Sequence, residues 1–206
     1  MSDKNNFEEV IRTISSYVEE ILGHEPDRID NLGEESNERI VLDVPLSGWN
    51  GDFYISCHPD EQSFSICYHY DLVTSIANKI HNPDKEQEDD DSFQESIEEA
   101  LDLVNSIERE HERDILYQIS ELVQQHPVGI QTADTEEDVF KAFLVYANLF
   151  PYEPDFTLTT FNRDVMTVLN AGSLTETFLN YSFNLGIEQD IEPTDEIPSE
   201  PNYPGR

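Results

Sequence analysis

The chain has 206 residues and carries 45 Asp and Glu against 11 Lys and Arg, a formal net charge of −34. A surface of that sign is repelled by nucleic-acid phosphates and anionic membranes, because the counterion release that drives nucleic-acid binding needs a basic surface, so neither is expected as a partner. Leu, Ile, Val and Phe make up about 27 per cent of the chain, above the roughly 20 per cent that marks highly charged disordered chains, and the chain is expected to fold.

Taken in order, the first element is a helix over about residues 6–22. Phe7, Val10, Ile11, Ile14, Tyr17, Val18, Ile21 and Leu22 recur at helical spacing, Asn6 suits the cap, and Gly23 suits a left-handed close. After a polar loop, Ile40 to Leu46, Phe53 to His58 and Phe64 to His69 alternate with period two, the pattern of antiparallel strands with one buried face. The turn Pro59 to Gln62 joins the last two as a hairpin. Pairing His58 with Ser63 sets Cys57 opposite Phe64 and Ile55 opposite Ile66, which gathers the apolar side chains on one face. A slip by one residue would bury serines and expose phenylalanines.

A short helix over Leu72 to Ile80 leads into an acidic linker, 82–91, which lacks the glycine and final glutamate of an EF-hand loop. Ser92 and Glu95 form a capping box for a long central helix, 93–124. At 1.5 Å per residue this helix is roughly 48 Å long, so it either breaks near His111 or projects and pairs with a second copy. Val139 to Phe150 is almost continuously apolar. It reads as a strand paired with Val128 to Thr132 across an acidic turn, Asp134 to Asp138, with a helix as the alternative. Leu158 to Leu169 form a helix, which Ser173 and Glu176 restart as a second capping box. Residues 186–206, with Pro193, Pro198, Pro201 and Pro204 among acids, read as a disordered tail after one α+β domain spanning 1–185. The expected sheet has about five strands, three plus two.

The residues that bear chemistry do not assemble into a known centre. Cys57, His58, Cys67 and His69 resemble four zinc ligands in one dimension, but tetrahedral zinc needs all four to converge at about 2.0–2.3 Å. The hairpin register sends Cys57 to the core face and the other three to the opposite one. Glu108-x-x-His111 is half of a di-iron pattern whose second half is missing. There is no Gly-rich phosphate loop, no Gly-x-Ser-x-Gly elbow and no His-Glu-x-x-His. No enzymatic activity, metal or cofactor is expected. Two cysteines are too few for a disulfide framework, and the absence of an apolar leader or an 18-residue apolar run suggests a cytoplasmic protein.

The order helix, three strands, linker, long helix, two strands, helix resembles the YbjN-like family of sensory transduction regulators, whose fold is similar to class I chaperones of type III secretion. Ala100-Leu101-Asp102-Leu103-Val104-Asn105 looks like that family's central helix, and Val139 to Phe150 followed by Thr157 to Leu169 like its last strand and helix. The resemblance implies partner binding and not chemistry. The resulting expectation is a non-enzymatic, chaperone-like interaction module of a salt-adapted cytoplasm, with a protein partner, a homodimer through helix 93–124, and Trp49, Tyr54 and His69 as partner-contacting residues; Trp49, between Gly48 and Asn50, reads equally as a loop residue folded over the core. Molar salt screens self-repulsion to a Debye length of roughly 3 Å, so acidity with only four lysines reads as habitat. The alternative is an acidic DNA mimic that antagonises a basic nucleic-acid-binding protein.

Overall fold

The computed structural model describes residues 2–32, 38–47, 49–59, 61–80, 90–107, 109–132 and 141–183. The acidic linker through residue 89, the turn 134–138, Glu108 and the tail 186–206 lie outside the described residues. Described residues form an α+β fold: α1 (Ser2–Leu22), β1 (Asp27–Leu32), β2 (Glu38–Val44), β3 (Asp52–His58), β4 (Ser63–Asp71), α2 (Leu72–Ile80), α3 (Asp90–Asn105), α4 (Arg109–Val123), β5 (Gly129–Thr132), β6 (Ala142–Leu149) and α5 (Leu158–Ser182). All strand pairs are antiparallel, in the order β1-β2-β3-β4-β6-β5.

The hairpin register is the one that apolar alternation demands. His58 pairs with Ser63, Cys57 with Phe64 and Ile55 with Ile66. Leu42, Phe53, Ile55, Cys57, Phe64, Ile66, Tyr68, Phe143 and Val145 thereby share one face and are almost wholly buried. Phe7, Ile11, Ile14 and Val18 of α1 and Phe161, Val165, Val168 and Leu169 of α5 complete the same core. Residues 142–149 are a strand, paired on one side with β4 and on the other with β5. Gly23 closes α1 with φ +84° and donates its N–H to Glu19 O at 2.9 Å.

Three expectations are corrected, and of the two alternatives for 93–124 the break is the one found, beginning at Ser106, ahead of His111. The sheet has six strands among the described residues. The addition is β1, hidden because Asp27-Arg28-Ile29-Asp30-Asn31-Leu32 has few apolar residues. Charge of that kind is how an edge strand avoids pairing with another chain. Arg28 ties the strand to α1 through a forked ion pair with Glu8, at 2.9 and 3.1 Å.

The long central helix is two helices. Ser106 N–H closes α3 on Asp102 O and Leu103 O at 3.0 and 3.3 Å, and Ser106 Oγ donates to Leu103 O at 2.7 Å. The halves then go separate ways, α3 packing on α2 and α4 on α5, so no 48 Å rod projects. Helix α3 also begins at Asp90, which puts Ser92 inside its first turn and not ahead of it. Finally, α5 runs unbroken through Ser173. Its cap is Thr157, whose Oγ1 accepts from Thr160 N while Thr160 Oγ1 accepts from Thr157 N.

Gly172 lies inside α5 because Tyr68 needs the space. A Cβ there would sit 2.4 Å from Tyr68 Cδ1 and 2.6 Å from its Cγ. The buried Tyr68 ring therefore lies directly on the helix backbone, and its hydroxyl donates to Glu176. Tyr70 similarly donates to Asn180 at 2.7 Å. Two tyrosines of β4 thus key the sheet to α5, and the opposite face of the sheet is left to be accounted for.

Candidate binding face of the sheet

Alternation sends Arg39, Val41 and Asp43 of β2, Tyr54, Ser56 and His58 of β3, Ser65, Cys67 and His69 of β4, and Leu144 and Tyr146 of β6 to the face away from the core. None of them belongs to the core cluster. At the centre of this face is a shallow depression of about 340 Å³ lined only by strand residues. Among the described residues, no helix contributes to it.

The register builds the site row by row. Tyr54, Cys67 and Tyr146 lie side by side across three strands, next to a row of Ser56, Ser65 and Asn148. Ser65 Oγ donates to Asn148 Oδ1 at 3.1 Å. At the sheet edge Gly129 is opposite Tyr146, and a Cβ there would come within 2.5 Å of Tyr146 Cζ. The missing side chain allows the Tyr146 ring to lie across the edge strand and extend the aromatic floor.

Arg39 supplies the charge. Its Nε donates to Ser56 Oγ at 2.9 Å, and its guanidinium is 5.4 Å from the centroid of the Tyr54 ring. Ser56 Oγ is also 3.0 Å from His58 Nε2. Among the described residues, no carboxylate lies within ion-pair distance of Arg39, whereas Arg28 and Arg163 both have one. Arg12 and Arg113 likewise have no ion pair among the described residues but are exposed, whereas the Arg39 guanidinium is half-buried and left to a hydroxyl and a ring.

The thiols are inert. Burial holds Cys67 at about 11 and Cys57 at about 12, so both are protonated near neutrality. Burial also raises the Tyr54 phenol, an effect the Arg39 charge partly offsets. Cys57 lies on the core face and Cys67 on the open one, as the strand pattern requires. Among the described residues, no group of three or more His, Cys, Asp or Glu side chains is placed to hold a metal ion.

The three residues singled out from sequence do not converge. Tyr54 is in the depression. His69 is on the same face, but its Nδ1 is 3.6 Å from Asp52 Oδ2, and it opens into a separate polar cleft of about 790 Å³ with Asn50, Asp71, Asn78 and Asn180. Hydroxyls in that cleft are used within the fold: Tyr70 donates to Asn180, and Ser75 to Asp71 O at 2.8 Å. Trp49 leaves the open face altogether and packs edge-on against Tyr68, with ring centroids 5.7 Å apart. Its neighbour Asn50 donates to Glu176 at 2.6 Å, so the β2–β3 loop is folded onto α5. Sequence reading missed Arg39, Ser56 and Tyr146 as site residues. Their one sequence signal is parity, since each alternates with a core residue on its strand.

No protein-family model and no curated protein matches the chain. Among solved structures, the chain is similar to the crystal structure of an uncharacterized protein from Methanothermobacter thermautotrophicus, with a TM-score of 0.54, 12% identity, and coverage of 84% of this chain and 99% of that one. At that identity the likeness is one of fold alone. Among the described residues, no helix is long and apolar enough to cross a membrane.

Proposed function

We propose that the protein is a non-enzymatic interaction module, chaperone-like or regulatory, that receives a segment of another protein on the open face of its sheet in a salt-adapted cytoplasm. The carrying observation is the one-sided core. Helices cover one face, while Tyr54, Leu144 and Tyr146 lie outside the core cluster around a depression on the other. Aromatic side chains with polar tips are the residues that recognition surfaces favour. The resemblance to the YbjN-like family points the same way, since what it implies is partner binding.

The edges of the sheet argue against strand addition as the mode of binding. Strand β1 carries Asp27, Arg28 and Asp30, and β5 has only four residues. A homodimer through the segment 93–124 loses its projecting rod, although Leu103, Tyr117 and Leu122 remain exposed on its two helices.

The test is competition between the two explanations of the charge. For the salt-adapted module, Tm rises with KCl into the molar range and partner binding persists there. A DNA mimic instead captures a basic nucleic-acid-binding protein in dilute buffer and releases it as salt increases. Tyr54→Ala should weaken capture in the first case and leave it unchanged in the second.

A further inference from the structure

We propose that the Arg39 depression is a carboxylate site that takes the C-terminal end of the partner chain: the terminal carboxylate on the guanidinium, and an apolar last side chain over Tyr54, Leu144 and Tyr146. This deepens the reading of the open face as the recognition surface and rests on it.

Four observations carry the assignment. The first is the guanidinium itself. Nε is engaged by Ser56 while the terminal nitrogens have no carboxylate among the described residues, and a planar fork of N–H donors matches a carboxylate better than any other common group. The second is pre-organisation. Ser56 and the face of Tyr54 hold the guanidinium from two sides, so little side-chain freedom remains to be lost on binding.

The third is the floor. Tyr54, Leu144 and Tyr146 line the same depression as Arg39, and Gly129 is what lets the Tyr146 ring lie across the edge strand. An anion with an apolar group beside it is therefore preferred to inorganic phosphate. The fourth is the rim. Asp27 and Asp43 face each other across β1 and β2 on this same side of the sheet, and Asp52 lies next to Tyr54 along β3 in the same alternation. A chain end with basic residues upstream of its carboxylate complements that rim. The depression is shallow, so a free small acid would keep much of its surface in water, whereas the upstream residues of a chain would cover the remainder of the face.

The experiment uses the full chain at a salt concentration where it is folded, titrated with three probes and followed by backbone amide NMR shifts. The probes are the peptide acetyl-Lys-Ser-Thr-Ser-Phe with a free carboxylate, the same peptide as its C-terminal amide, and 3-phenylpropionate. The free-acid peptide is expected to bind at least about tenfold more tightly than the amide, with shifts on β2, β3, β4 and β6, because a charge-assisted forked contact is lost in the amide. Arg39→Gln should abolish that preference while the folded spectrum and Tm stay close to those of the parent. Arg39→Lys, which keeps the charge without the fork, should retain only part of it.

Equal affinity for acid and amide, or a preference that survives Arg39→Gln, overturns the carboxylate assignment. If both peptides bind equally but shift the open-face strands, the face remains the recognition surface and only the Arg39 inference falls. Phenylpropionate binding as tightly as the peptide acid overturns the chain-end assignment in favour of a small acid. No binding by any probe, or shifts confined to the helices, overturns the proposal.

Discussion

Replacing Gly172 by alanine sets two opposed effects against each other. In an exposed helix interior the change stabilises by about 1 kcal/mol, because glycine loses more backbone freedom on folding. Here the new methyl would sit 2.4, 2.6 and 3.0 Å from Tyr68 Cδ1, Cγ and Cε1. These atoms are the near part of a ring that is 1% exposed, so a change at the tip of the side chain cannot relieve the contact. Overpacking of this kind costs about 1–3 kcal/mol. Displacing the ring also strains its hydrogen bond to the Glu176 carboxylate, a class of contact worth about 1.5–3 kcal/mol. The expected net effect is destabilisation by about 1–3 kcal/mol.

Urea unfolding at constant salt, followed by fluorescence, measures this change. The chain has one tryptophan, Trp49, and it packs edge-on against Tyr68, so the probe reports from the perturbed contact. In a Tyr68→Val background the clash is gone and the same glycine replacement should become neutral or stabilising, giving a coupling energy of at least 1 kcal/mol on the order of those seen for residues in contact. A Gly172→Ala protein more stable than its parent would refute the account of how β4 is keyed to α5.

Gly129→Ala meets Tyr146 only at the far end of its ring, with the nearest atom at 2.5 Å, and should lower stability by less than about 1 kcal/mol while moving the ring off the edge strand; NMR shifts around Tyr146 and weakened peptide binding are the readouts. Thr157→Ala removes the hydroxyl that caps α5 and should lower the unfolding free energy by about 1 kcal/mol, read from the shift in urea midpoint at unchanged m. Alkaline stability follows from the buried thiols. Cys57 titrates near 12 in the fold and near 8.5 when unfolded, so its contribution is complete below about pH 8.5 and is lost as pH rises toward 12, at up to about 1.4 kcal/mol per pH unit. Urea midpoints from pH 8 to 11 should therefore fall less steeply in Cys57→Ala than in the parent, and equal slopes would contradict the assigned burial effect.

What the sequence revealed was set by periodicity. Strands β2, β3 and β4 alternate cleanly, and a slip in register would have buried Ser63 and Ser65, so the pairing and facing of the β3–β4 hairpin were legible to the residue; β6 lies in an almost continuous apolar run, whose lack of a period left strand and helix both open. Strand β1 was not, because an edge strand with Asp27, Arg28 and Asp30 lacks the apolar pattern that marks a strand. The break between α3 and α4 was legible as one of two alternatives, from the polar gap around His111, but phase left the choice open. Val104 and Ile115 are eleven residues apart, about three helical turns, so their stripes align whether or not the helix continues.

Ser173 and Glu176 have the spacing of a capping box, yet Glu176 is occupied by Tyr68 and Asn50 from distant parts of the chain. The site was legible only in part for the same reason. Parity puts Tyr54 and His69 on the open face, but the convergence of Arg39, Ser56 and Tyr146 depends on pairing across four strands. Trp49 packs on Tyr68 as a loop residue folded over the core, the alternative that its place between Gly48 and Asn50 had offered.

The central claim is that the open face of the sheet, and not the helical surface, meets the partner. Its most direct measurement is site-specific photocrosslinking in the native host at native salt, with a benzophenone side chain placed at Tyr54 in one protein and at Tyr181 of α5, 76% exposed, in another. The account predicts one dominant crosslinked protein from position 54, diminished by Arg39→Gln, and only background from position 181. A dominant adduct from position 181 with none from position 54 would contradict it.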